Sequence, residues 1–397
     1  MIDRKKLKVL HLARWYPNKF DPMPGLFIQR HIEAANIYCE CGVVYTHLVE
    51  KKWDSVSSFV TEISMINGVP TAKVYYKGAN RYLGPLGKII NIYRFYKANR
   101  IGIGVIKSEL EGIDLLHIHI LTRLGLIGLY YKLTKGIPYI VTEHWSRYLD
   151  VTSGFKGVFR KFITRVVVRY ASAVTAVTKN LADSMQMHGL KNLNYLILPN
   201  VVDNVFVKYN PKKKENNKVN FLHVSCFEDK SKNISGLLRV IKELSLERDD
   251  FIFTMVGEGI DLDDMIQYSK KIGIGTDKLR FTGLLEGKRL VDEMNNADML
   301  VIFSHYENFP VVINESLSLG VPVIATRVGG IPERVNKRNG ILVKPGDESQ
   351  LLYELGAYLN GKRKFNIRNI HKEFAKEFSA DRIGVKLNEM YDKAIND

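Results

Sequence analysis

Cysteine is nearly absent: Cys39, Cys41 and Cys226 are the three in 397 residues. So sparse and odd a set excludes a disulfide framework and fits a reducing compartment. Cys39 and Cys41 are spaced like half a metal site, but no second ligand pair at zinc spacing follows, so they read as incidental thiols. No apolar run approaches the roughly 18 residues that a membrane span requires. The charged opening (Asp3, Arg4, Lys5, Lys6) passes directly into a strand-like run, Lys8-Val9-Leu10-His11-Leu12, with no signal-peptide pattern. The expectation is a cytoplasmic protein, with any membrane contact peripheral and on the inner face. Repeats at solenoid periods are missing as well, and no nucleic-acid recognition motif accompanies the basic charge, which argues against nucleic acid as a partner.

What is present is the composition of a globular protein, 46% hydrophobic and 25% charged. The chain is too long for one ordinary core, so two domains are expected. Its net charge of +16 is unevenly shared. Residues 1–200 hold 28 Lys and Arg against 13 Asp and Glu; the remainder holds 30 against 29. A basic half beside a neutral half implies an anionic partner for the first half only: nucleic acid, anionic lipid or a phosphorylated substrate.

Short apolar runs alternate with helical patterns through both halves. Lys8–Leu12, Val43–Leu48, Thr71–Tyr76, Leu115–Ile120, Tyr139–Thr142, Ala173–Val177 and Tyr195–Leu198 read as strands of the first half. Asn220–Val224, Phe251–Val256, Leu279–Thr282, Met299–Phe303 and Val323–Ala325 read as strands of the second. Between the halves, residues 203–218 are polar, lysine-rich and interrupted by Pro211, which suits a linker. The pattern predicts an α/β protein of two facing, doubly wound domains, with ligands in the cleft at the carboxyl ends of parallel strands.

The densest chemical signal is Glu307-Asn308-Phe309-Pro310-Val311-Val312-Ile313-Asn314-Glu315. A strand ends before Ser304, and a turn carries Glu307. A short helix then places Glu315 near its first turn and stops at Gly320. Backbone N–H groups at such a turn suit phosphate or sugar oxygens, and a carboxylate there can accept bonds from vicinal hydroxyls. Taken alone, two glutamates at this spacing fit a capped surface turn better than a binding site.

Their surroundings decide. After Glu315 come Gly320-Val321-Pro322-Val323-Ile324-Ala325, Gly329-Gly330 with Glu333, and Asn339-Gly340 with Leu342-Val343 and Pro345-Gly346-Asp347. This constellation resembles glycosyltransferase family 4, retaining nucleotide-sugar enzymes of the GT-B fold, which has two Rossmann-like domains. The resemblance implies an acceptor-side domain over 1–202, a linker over 203–218 and a nucleotide-sugar domain over 219–375. It implies further that residues 376–397 form a helix returning to the first domain.

The same resemblance assigns roles by position. Gly257 and Gly283 would frame the nucleobase, and Gly25 would let backbone approach the donor phosphate. Lys232, with Lys230 as rival, would hold the diphosphate. Cys226 stands where many members have arginine, so one diphosphate contact is missing or supplied elsewhere. Asn308, Phe309, Pro310 and Val311 would line the donor, Glu315 would fix the ribose, and Glu307 would orient the sugar hydroxyls. His119 would touch the donor hexose, while His117, on the same strand face, reads as a packed residue with no third metal ligand nearby. Glu143 and His144 would lie on the acceptor side. The implied chemistry is metal-independent and cofactor-free transfer of a hexose from a UDP- or GDP-sugar to a saccharide or lipid-linked acceptor, with retention. Surface polysaccharide or glycoconjugate synthesis is the setting expected.

Two stretches, Leu86–Asn99 and Phe155–Tyr170, are aromatic and basic at helical spacing. They fit amphipathic helices with solvated cationic faces, or attachment to an anionic membrane surface. Other functions consistent with the motifs are a nucleotide-sugar epimerase or phosphorylase, and a catalytically silent nucleotide-sugar sensor suggested by Cys226.

Overall fold

The computed structural model describes residues 6–50, 53, 55–121, 123–152, 154–208, 218–308 and 310–396. The chain divides into two compact units. The first comprises Met1–Val177, Ala182–Val201 and Ala380–Asp397; the second comprises Thr178–Leu181 and Val202–Ser379.

The first unit is built on eight strands: β1 (Lys8–Ala13), β2 (Glu40–Val49), β3 (Phe59–Ile66), β4 (Val69–Lys77), β5 (Leu115–His119), β6 (Tyr139–Glu143), β7 (Ala173–Ala176) and β8 (Tyr195–Ile197). Their order is β3-β4-β2-β1-β5-β6-β7-β8, parallel except for the β3/β4 pair. The chain winds outward from β1 on one side and restarts beside β1 with β5, so the switch point lies between β1 and β5. β3 is absent from the strands expected above, because its largely half-exposed FVTEISMI sequence lacks a buried run. Its signal is the turn that follows. Asn67 and Gly68, at φ 47° and 79°, close a two-residue hairpin onto β4, and both positive angles match the type I′ turn that Asn-Gly favours.

Six strands form the second unit: β9 (Val219–Val224), β10 (Phe251–Val256), β11 (Leu279–Gly283), β12 (Met299–Ile302), β13 (Val323–Thr326) and β14 (Gly340–Val343). All neighbours are parallel, in the order β11-β10-β9-β12-β13-β14, which places the switch point between β9 and β12. The strands bury both faces with period two. Leu222, Leu300 and Ile302 join the core containing Ile313 and Leu317. Phe221, Met299 and Val301 join the opposite core, with Leu237 and Ile241. β14 was not foreseen, being only four residues within a motif dominated by turn residues.

The stretch expected as linker starts differently. Asp203 caps a short helix, Asn204–Val207, by accepting from Val205 N–H. Phe206 of that helix is buried in the second unit. One aromatic anchors a segment whose polar composition otherwise reads as solvated; residues 209–217 lie outside the described set. The final helix, Ala380–Asn396, belongs to the first unit and packs against the helix Leu26–Asn36, burying Ile383, Leu387 and Tyr391. Leu387→Ala should lower the first unit's stability by about 2–5 kcal/mol, the cost of a core cavity. The chain's three tryptophans, Trp15, Trp53 and Trp145, all lie in this unit, so urea unfolding followed by their fluorescence measures it.

Candidate functional site

In the second unit the loops leaving β9 and β12 meet at the switch point. Lys232 ends the short helix Asp229–Lys232, and its Nζ lies 2.6 Å from Glu307 Oε1. Ser304 Oγ donates to the same carboxylate oxygen at 2.9 Å, and His305 N–H donates to Ser231 O at 2.9 Å. Both charged side chains are largely withdrawn from water, at 16% and 10% exposure. Burial works against the Lys232 ammonium, but Glu307, then Cys226 and Glu228, outweigh it and hold its pKa above the ordinary value. Lys230 is exposed, so of the two rival lysines the structure brings Lys232 to Glu307.

The turn carrying Glu307 is backed by the Gly329-Gly330 pair. Gly329 has φ +52°, and a Cβ there would stand 1.9 Å from Glu307 O, so no side chain fits. Gly330 N–H donates to Asn308 O at 2.7 Å. Gly257 packs its backbone against Ser225 O and donates to Gly283 O at 2.9 Å, which joins the loops after β10 and β11 to the one after β9. Phe309 lies outside the described residues.

The helix after the turn differs from expectation. It runs Val311–Ser318, with Pro310 at its N-cap and no side chain capping it, so Val311 and its neighbours form the open N-terminus. Glu315 therefore sits in the second turn, not the first, and is 4% exposed. The Val311-Val312-Ile313 run explains the shift: all three residues are β-branched and look strand-like in isolation, but Ile313 is needed in the core beneath the helix.

In the first unit, Gly25 has φ +81° at the start of the helix Leu26–Asn36, and a Cβ there would stand 2.4 Å from Trp15 C and O. The space a side chain would need is filled by the protein's own backbone. Gly25 thus packs the loop after β1 closely against the start of the helix.

His119 is fully buried, in a stack of five histidines. His11 pairs with His117 in strand register, so both project from the same face as His119. His31 comes from the helix Leu26–Asn36 and His144 from the end of β6. His119 Nε2 shares a hydrogen bond with His11 Nδ1 at 3.0 Å, and its Nδ1 lies 3.5 Å from His144 Nε2. His117 is bonded to Tyr391 Oη at 2.7 Å and Thr142 Oγ1 at 2.6 Å. Two triplets, His11/His117/His119 and His31/His119/His144, have ligand atoms within 4.8 Å of one another, so third ligands do exist where the sequence shows only a pair. They went unseen because they arrive from β1, a helix and β6. These contacts are those of neutral rings sharing protons. Burial is the main cause of low pKa values throughout: His11 falls to about 3, His31 to about 4, and His117, His119 and His144 well below the usual imidazole value.

Glu143 is likewise fully buried, with Oε1 accepting from His144 and Trp145 N–H and Oε2 from Leu121 N–H. It ties together the loops leaving β5 and β6, and burial pushes its pKa up to about 7. In this conformation His119 and Glu143 present no atom to solvent, and His144 almost none. In this state these residues support the carboxyl edge of the sheet from within the first unit. Ile120, between them, has φ +71°, a strained setting for a β-branched residue, of the kind that clusters at functional sites.

Two α/β units with Rossmann-like parallel sheets make this the GT-B class of glycosyltransferase. Residues 207–377 match the family model described as glycosyl transferases group 1, and residues 66–205 match the one described as Glycosyltransferase Family 4. The chain belongs to glycosyltransferase family 4. It is 28% identical over 316 residues to an uncharacterized glycosyltransferase of Methanocaldococcus jannaschii, covering 78% of this chain and 83% of that one. It is 23% identical over 372 residues to the "Putative teichuronic acid biosynthesis glycosyltransferase TuaC" of Bacillus subtilis, covering 89% of each. Among solved structures, Anabaena HepE in complex with UDP and glucose superimposes with a TM-score of 0.68 at 15% identity, over 97% of this chain and 99% of that one.

The histidine stack has a consequence for acid stability. The unfolded chain protonates these imidazoles below about pH 6.5; the folded one does not until pH falls toward 4 or 3. Their stabilisation is therefore fully present above pH 6.5 and is lost as pH falls through that window, by up to about 1.4 kcal/mol per pH unit for each histidine. Glu143 alone acts in the opposite sense, losing stability as pH rises toward 7. The urea midpoint of the first unit should drop steeply between pH 6.5 and pH 4.5; a flat midpoint would show that the imidazoles charge inside the fold.

Proposed function

We propose that the protein is a retaining glycosyltransferase that moves a hexose from a UDP- or GDP-sugar to a saccharide or lipid-linked acceptor. The product would be a surface polysaccharide or glycoconjugate. The observation that carries this is the Lys232–Glu307 pair at the β9/β12 switch point, beside an uncapped helix N-terminus. Cleaving an anomeric C–O bond to phosphate needs stabilisation of the departing negative charge. Lys232 and the N–H groups at Val311 supply it from the protein itself, so the chemistry needs no metal ion. As the donor enters, its diphosphate takes Lys232, and Glu307 is released from the ammonium to accept hydroxyl groups of the sugar. Glu315 holds the ribose.

Retention without a covalent intermediate has the acceptor oxygen attack the face from which the phosphate leaves. The new C–O bond forms as the old one breaks, and the acceptor's proton goes to the leaving phosphate. The teichuronic acid name of the Bacillus relative and the UDP and glucose held by HepE support the substrate class. Glu307→Gln should lower kcat/KM by about 100-fold or more, the scale of a lost transition-state contact, with nucleotide affinity almost unchanged. Glu315→Gln should do the reverse. Equal effects on both would undo this division of roles, and donor turnover without any acceptor would favour an epimerase.

Peripheral membrane contact is favoured by a separate observation. On the helix Val158–Tyr170, Val158, Phe159 and Phe162 are 88%, 77% and 63% exposed, interleaved with Arg160, Lys161 and Arg165. Along the helix Gly84–Glu109, Leu86, Ile89 and Tyr93 are exposed beside Lys88 and Lys97. Apolar side chains left in water next to cations suit the surface of an anionic bilayer. No helix among the described residues is long and apolar enough to cross one. Vesicles containing anionic lipid should co-sediment the protein at low salt and release it at high salt, and neutral vesicles should not; absence of binding at low salt would reject the contact.

A further inference from the structure

The carboxyl edge of the first unit's sheet carries a group of side chains that the donor chemistry does not use. Trp15 follows β1 and Trp145 follows β6. Those strands flank β5, and the two indoles reach over its end to lie 5.3 Å apart, tilted by 58°. Phe27 packs edge-on against Trp15 and lies 4.8 Å from His144, so the aromatic layer roofs the buried histidines. Both indoles stay partly exposed. A half-open aromatic surface of this kind is what the apolar face of a pyranose ring stacks on.

Arginines surround it. The Arg147 guanidinium carbon stands over Trp145, 3.5 Å from the ring centre. A guanidinium that stacks by its face keeps its in-plane N–H donors available to an anion. Arg14 precedes Trp15 and is exposed, as is Arg160. Burial and then the like charges of Arg160 and Arg14 depress the pKa of Arg147, while the Trp15–Trp145 contact brings the chain after Arg14 to the chain before Arg147. None of the three has an ion-pair partner among the described residues. Glu143, the carboxylate that acts on Arg147 among the described residues, is sealed in the core with both oxygens committed to backbone N–H groups. Like cations left together without a counter-charge are costly unless an anion joins them. A guanidinium fork held rigid by stacking matches a carboxylate or phosphate in two-point fashion.

We propose that Trp15, Trp145, Arg14, Arg147 and Arg160 form an acceptor subsite for a saccharide that carries an anionic group, either a uronic acid carboxylate or a sugar phosphate. The site rests on the glycosyltransferase reading for the word acceptor. The indoles take the ring, and the arginines take the charge. Selection of an anionic sugar then comes from cations that would be left unneutralised by a neutral one.

Equilibrium binding to the full-length protein, with UDP and GDP present in excess to fill the donor site, tests this without requiring transfer. Glucuronic acid and glucose 1-phosphate are the two anionic probes, methyl glucoside the neutral one and inorganic phosphate the ringless one. At least one anionic sugar should bind about tenfold or more tightly than methyl glucoside, and which of the two does so separates carboxylate from phosphate chemistry. Arg147→Ala should abolish that preference, Arg147→Lys should restore part of it, and Trp145→Ala should weaken the sugar without changing inorganic phosphate. Equal binding of neutral and anionic sugars, or inorganic phosphate binding as well as glucose 1-phosphate, would overturn the subsite. Anionic-sugar binding that persists in a protein with no transferase activity would sink the enzymatic reading and leave the subsite standing.

Discussion

One buried ion pair joins the two loops on which the second unit's chemistry depends. At 2.6 Å, Lys232 and Glu307 link the chain leaving β9 to the chain leaving β12, across the switch of a six-stranded parallel sheet. Removing one partner of a pair this well shielded leaves a charge with little water to answer it, a cost of several kcal/mol. The pair therefore sets the empty shape of the site. It also stores two opposite charges which, under the proposed function, a nucleotide sugar would meet with their complements, a diphosphate for the lysine and hydroxyl groups for the carboxylate. Around it the sequence supplies close backbone packing: Gly329 allows Glu307 O to approach, and Gly257 does the same for Ser225 O.

The first unit follows another constraint. Its sheet edge is assembled over buried imidazoles, and burial keeps all five neutral. Neutral rings can share protons with one another, as His11 and His119 do, where charged ones would repel. That stack, the buried Glu143 and the strained Ile120 form a rigid underlayer for the loops after β1, β5 and β6. Positive charge is displaced upward and outward to Arg14, Arg147 and Arg160, where it is open to an anion. The excess of cations seen in residues 1–200 thus includes a local group with a geometric use.

Much of the second unit was legible in the sequence because its signals are local. Glu307, the Gly329-Gly330 pair and the strand–helix alternation fall within short spans, and parallel strands buried on both faces read as continuous apolar runs. The start of the helix at Val311 was not legible, since β-branched residues after a proline look extended until the core beneath them is known. The histidine stack was illegible for a different reason. His11, His31, His119 and His144 are far apart in the chain, and only the order β1-β5-β6 brings them together. A pair on one strand shows periodicity; a cluster needs topology. The same holds for Trp15 and Trp145, which meet across the end of an intervening strand.

The central claim is that the Lys232–Glu307 pair opens to receive a nucleotide sugar. Thermal unfolding of the purified protein against a panel of UDP- and GDP-sugars measures this, because a bound donor stabilises the fold by mass action. One nucleotide class should raise the melting temperature in the wild type, and Lys232→Ala should lose that rise. No rise with any nucleotide sugar, or an equal rise in Lys232→Ala, would contradict the account.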